Sequence, residues 1–92
     1  MNATKKVLYA LEYIGLNVKV MKSPSKTRIG ISGKVIDETK NTFMIENSEG
    51  RVLKIPKQST VFIFKKGNEK FEVDGNKIVY RPEDRTKKIL EG

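Results

Sequence analysis

The sequence contains no cysteine, no histidine and no tryptophan, and only 3 prolines among its 92 residues. Without thiols or imidazoles there can be no disulfide, no thiolate zinc site, no Cys or His nucleophile pair and no imidazole acid–base chemistry. The missing cysteines also accord with a reducing cytosol. No apolar run approaches the length of a bilayer span, and Met1 is not followed by a charged-then-apolar leader, which predicts a soluble, cytoplasmic protein with no membrane partner. Acidic residues are in deficit: 11 Asp and Glu face 19 Lys and Arg, a formal charge of +8 that points to a polyanionic partner. The excess lies chiefly in residues 1–28, with 6 basic residues against 1 acidic, compared with 5 against 4 in residues 29–64 and 8 against 6 in residues 65–92.

The chain length fits one domain. Over residues 3–14, Val7, Leu8, Leu11 and Ile14 recur at helical spacing, which predicts an N-terminal helical extension over residues 1–14. Gly15 stops it and the period changes to two, with Leu16, Val18 and Val20 on one face of a strand. A cationic loop through Lys22 to Arg28 leads to a hairpin over Gly30 to Asn47, where Asp37 to Asn41 is expected to turn and Gly30 and Gly33 to allow a bend. Further strands are expected before Pro56, over Thr60 to Lys65, around Phe71 and Val73, and over Asn76 to Tyr80 after an Asp74-Gly75-Asn76 turn. The apolar run Val61 to Phe64 is expected to be covered on both faces. Pro82, Glu83 and Asp84 suit a helix start and Lys87 and Lys88 its end, so residues 81–92 read as a C-terminal helical segment. The prediction is an all-β fold over residues 15–80 with short terminal helices: a small antiparallel barrel of about six strands, Sm-like or SH3-like, because the mid-sheet helix of an oligonucleotide-binding barrel is missing from the pattern.

Several stretches carry a family resemblance over about Ile14 to Lys88. They are Ile14-Gly15-Leu16 with Val18 and Val20, Gly30-Ile31-Ser32-Gly33-Lys34-Val35, Asp37 to Thr42, Ile55-Pro56-Lys57, Phe62 and Phe64, Val73-Asp74-Gly75, and Arg81-Pro82-Glu83-Asp84-Arg85. In order and spacing they resemble archaeal ribonuclease P protein component 1; Tyr80 and Phe43 depart from its pattern. The resemblance implies an Sm-like barrel that is a non-catalytic subunit of the ribonucleoprotein removing the 5′ leader of precursor tRNA. It further implies contact with the specificity region of ribonuclease P RNA, a zinc-ribbon protein subunit as heterodimer partner, precursor tRNA met only indirectly, and no cofactor on this chain, with Mg2+ carried by the RNA.

Candidate RNA-binding residues follow from charge and this pattern. Lys22, Lys26 and Arg28 lie in the most basic third, and Lys34 and Lys40 lie on the central hairpin. Arg81 and Arg85 would stand about one helical turn apart, with Lys87 and Lys88 beyond them, and guanidinium forks suit phosphate oxygens. Solvated surface charge is the plain alternative for each. Val7, Leu8, Leu11, Ile89 and Leu90 form a candidate partner interface, with packing on the barrel as the alternative. Asp37, Glu38 and Asn41 read as turn residues and Glu83 and Asp84 as helix-start carboxylates, so neither a catalytic residue nor a metal ligand is assigned. Phe62, Phe64 and Phe71 read as core, leaving Tyr9 and Tyr80 freer to stack on bases. Rival readings are a ribosomal protein with an SH3-like barrel that binds ribosomal RNA and an SH3- or Tudor-type interaction module, the latter disfavoured by the scarcity of spare aromatics.

Overall fold

The computed structural model describes residues 12–84. Six strands are formed: β1 (Asn17–Lys22), β2 (Ser32–Glu38), β3 (Thr42–Glu46), β4 (Val52–Pro56), β5 (Val61–Lys66) and β6 (Glu69–Asp74). They make one antiparallel sheet in the order β4-β3-β2-β1-β5-β6. In a flat sheet of this order β3 and β5 would lie roughly 14 Å apart, three strand spacings. Yet the rings of Phe43 on β3 and Phe62 on β5 have centroids 5.2 Å apart, so the sheet curls until its inner face closes on itself as a small barrel. Val18, Val20, Val35, Ile45, Ile55, Phe62, Phe64 and Val73 fill that face at alternate positions, as a two-residue period requires.

Tyr13 belongs to the same core. It is fully buried, stacked on Phe64 at 4.4 Å and edge-on to Phe43 at 5.6 Å. The helix expected through Ile14 therefore does not include Glu12 to Ile14. The chain turns instead, with the Leu16 amide donating to the Tyr13 carbonyl and the Gly15 amide to that of Val35, while Ile14 is exposed. The rest of that expected helix lies outside the described residues.

Local chemistry explains most of the turns. Gly67-Asn68 joins β5 to β6 as a two-residue turn with Gly67 at φ 60°. Asn47 accepts from the amides of Glu49 and Arg51 in the β3–β4 turn. The β2–β3 turn is shorter than expected. Asp37 and Glu38 belong to β2, and Thr39 makes the turn by accepting from the Thr42 amide at 3.1 Å. The final strand expected over Asn76 to Tyr80 is replaced by a 3-10 helix at Gly75–Ile78. Asp74 caps it through the Asn76 amide, and the Gly75 amide donates to the Thr60 carbonyl at 2.8 Å. Ile78 is turned into the core from this helix. On β5, Phe62 and Phe64 are buried while Val61 and Ile63 are only partly so, and the outer face of this run stays accessible among the described residues.

Candidate nucleic-acid interface

Lys57 is the least expected buried residue. Its side chain and that of Glu38 are both fully inaccessible and form an ion pair of 2.6 Å. The same ammonium donates to the carbonyl oxygens of Thr39 at 2.8 Å and Tyr80 at 3.0 Å, and lies 4.9 Å from the centroid of the Phe43 ring. A buried lysine is tolerable only when paired and hydrogen-bonded, and here three oxygens and an aromatic face surround it. The arrangement ties the end of β2, the β2–β3 turn and the segment leaving the barrel at Tyr80 to a single charge. Lys40 and Arg81 each follow a residue whose carbonyl rests on that charge, so both exposed cations emerge at the same end of the barrel. Asn41, Thr42, Gln58 and Asn76 line a hollow of about 440 Å³ there, rich in side-chain amides.

The loop after β1 is more ordered than its composition indicates. Lys26–Arg28 forms a 3-10 turn, and the Gly30 amide returns to the Val20 carbonyl at 2.8 Å, with Gly30 at φ 90°. Lys22 and Lys26 are exposed and Arg28 is half-buried. Lys34 is exposed on the outer face of β2, opposite Asn17 of β1. The sheet order places it near Lys19, Lys65 and Lys70, three cations the sequence reading did not single out. Strand pairing is the missing signal: Asn17 lies opposite Lys34 on one side and Lys65 on the other, and Lys65 lies opposite Lys70. None of Lys19, Lys34, Lys65 and Lys70 is ion-paired with a described residue.

Arg85, Lys87 and Lys88 lie outside the described residues, as do Val7, Leu8, Leu11, Ile89 and Leu90. Residues 82–84 begin a helical turn in which the Asp84 amide donates to the Arg81 carbonyl at 3.0 Å. Tyr80 is 37% exposed. Among the described residues no three of Asp and Glu gather as potential metal ligands, and no helix is long and apolar enough to cross a membrane.

Fold and surface define a class: a small, strongly basic Sm-like barrel whose lysines are spread over the outer face and one end. Comparison with known proteins makes this specific. The model of the family Ribonuclease P/MRP, subunit p29 matches residues 6–88. Ribonuclease P protein component 1 of Methanocaldococcus jannaschii is 48% identical over 79 residues, covering 86% of this chain and 83% of that protein. The protein of the same name from Staphylothermus marinus is 41% identical over 91 residues, covering 98% and 99%. The solved structure of Mth11, described as a homologue of human RNase P protein Rpp29, superposes with a TM-score of 0.62 at 45% identity, covering 82% of this chain and 97% of that one. The chain belongs to the ribonuclease P/MRP subunit p29 family and is a ribonuclease P protein subunit.

Proposed function

We propose that this subunit is non-catalytic and that it binds and stabilises the specificity region of ribonuclease P RNA through phosphate contacts, within the particle that removes the 5′ leader of precursor tRNA. The observation that carries the reading is that the exposed Lys19, Lys22, Lys26, Lys34, Lys40, Lys65 and Lys70 have no carboxylate partner among the described residues, on a family member of charge +8. Such cations displace the condensed counterions of a nucleic acid, giving affinity and orientation without reading bases. Lys22, Lys26 and Arg28 would act from the loop after β1, Lys34 from the sheet, and Lys40 and Arg81 from the end of the barrel, with Arg85, Lys87 and Lys88 continuing from Arg81. The zinc-ribbon subunit would dock on Val7, Leu8, Leu11, Ile89 and Leu90. Mg2+ would reside on the RNA, precursor tRNA would be met indirectly, and the particle would work in the cytoplasm.

The test is a titration of ribonuclease P RNA at several salt concentrations. Engagement of about five phosphates lowers affinity by roughly two orders of magnitude between about 50 and 200 mM monovalent salt. Replacing Lys22, Lys26 and Arg28 together by alanine should weaken binding and flatten that dependence. Affinity indifferent to salt would exclude the mechanism. Recovery of ribosomal RNA instead of ribonuclease P RNA with the protein from cells would exclude the assignment of its partner.

A further inference from the structure

A hollow of about 360 Å³ opens on the outer face of the barrel where β1, β5 and β6 run side by side. Its floor is apolar, made by the side chains of Met21 and Ile63, and its walls are Asn17, Lys19, Lys65 and Lys70. Met21 is 40% exposed, a large apolar side chain left accessible on a strand. Three cations and no carboxylate line the hollow; Glu72, opposite Ile63 on β6, is the neighbouring acid and is not part of the lining. Cross-strand pairing sets Lys34, Asn17, Lys65 and Lys70 in one row over four adjacent strands, roughly 14 Å long at the usual strand spacing.

From this geometry we propose that the hollow is a subsite for one unpaired nucleotide of an RNA strand. The base lies on the thioether of Met21 and the methyl groups of Ile63, the Asn17 amide reaches its edge, and Lys19, Lys65 and Lys70 hold the flanking phosphates. A duplex offers phosphates, 2′-hydroxyls and base edges but no open base face, and would leave the apolar floor empty, since its bases are stacked on one another. An unpaired nucleotide presents an apolar face and an anionic backbone together, the pairing found on surfaces that bind single strands. Methionine sulfur is polarizable and packs well against aromatic rings. The hollow is also within the size range of small-ligand sites, which suits one base and not a helix. The inference rests on the reading that the chain binds RNA, and adds where and in what form a base is held.

The full chain should be titrated with fluorescent oligoadenylate of about six nucleotides and with a blunt RNA duplex of equal length, alongside ribonuclease P RNA. Oligoadenylate should bind better than the duplex. Ile63→Ser should weaken the oligoadenylate roughly ten-fold without changing its salt dependence, because it removes stacking surface and no charge. Lys65→Ala with Lys70→Ala should weaken it and lower the salt slope by about 1.4, the share of two phosphates on a single strand. Thermal melts of each variant check that substitution at the half-buried Ile63 and the exposed Lys65 and Lys70 leaves the fold intact. A folded Lys65→Ala/Lys70→Ala protein that binds oligoadenylate like the parent overturns the subsite. So does an acidic peptide such as polyglutamate occupying the hollow where oligoadenylate does not, which would mark a protein contact. If hollow variants bind ribonuclease P RNA normally while the Lys22, Lys26 and Arg28 variant does not, the subsite fails and the RNA-binding function stands. Failure of the unaltered chain to bind ribonuclease P RNA removes the function itself.

Discussion

At the scale of single residues, Lys57 decides more than any candidate contact. Replacing it by methionine leaves Glu38 buried beside an apolar side chain and strips the Thr39 and Tyr80 carbonyls of their donor. A buried ion pair broken on one side costs about 3–5 kcal/mol, whereas an apolar replacement of both partners is often near neutral. Lys57→Met should therefore lower the melting temperature sharply, and Glu38→Leu added to it should recover much of the loss. A double variant that melts no higher than Lys57→Met alone would contradict this. Part of the arrangement was legible beforehand. Ile55 faces the core, and extending the two-residue period of β4 past Pro56 points Lys57 inward. Residue type hid it, because lysine is almost never fully buried unless paired. Glu38 was hidden by geometry. Val35 is buried, so an unbroken period would send Glu38 outward, but the register shift between Val35 and Asp37 inserts one residue and turns it in.

At the scale of elements, hairpins could be read where turn chemistry is local. Gly67-Asn68 and the turn from Asn47 to Arg51 are each held by residues adjacent in the chain. The end of the barrel could not be read so, because Gly75 serves a distant contact. A Cβ there would overlap the carbonyl oxygens of Lys57 and Thr60. Gly75→Ala must push the segment between β4 and β5 away, and overpacking of this kind costs about 1–3 kcal/mol. Urea unfolding should show that loss as a lower midpoint. The variant should also weaken the Lys57 contacts, which share this segment. An unchanged midpoint would mean that the 3-10 helix can move without cost. The Asp74-Gly75-Asn76 run resembled a hairpin turn because the same residue types serve both purposes; only the Thr60 carbonyl, fifteen positions back in the chain, distinguishes them.

For the whole molecule, the excess of 19 basic over 11 acidic residues predicts opposite responses to salt. Free protein of high net charge is destabilised by self-repulsion, which salt screens, so its melting temperature should rise or hold as monovalent salt increases. RNA that binds only the folded state adds stability by mass action, about 2.7 kcal/mol at one hundred times Kd, and salt removes it by weakening binding. Calorimetry with and without ribonuclease P RNA should therefore give two curves that converge as salt rises. Parallel curves would count against charge neutralisation as the source of affinity. The barrel itself was legible from strand count and spacing. The basic row on its outer face was not, since it depends on β1 lying between β2 and β5, a pairing no local pattern encodes.

That central position of β1 also governs how the chain is made. Joints β4-β3, β3-β2, β2-β1 and β5-β6 link neighbours in the chain, but β1 meets β5 only when Asn17 finds Lys65. During synthesis the first of the described strands is thus one of the last to be flanked on both sides, and it waits with an open hydrogen-bonding edge until β5 is made. Among the described strands this joint closes the longest loop and so carries the largest loop-closure entropy.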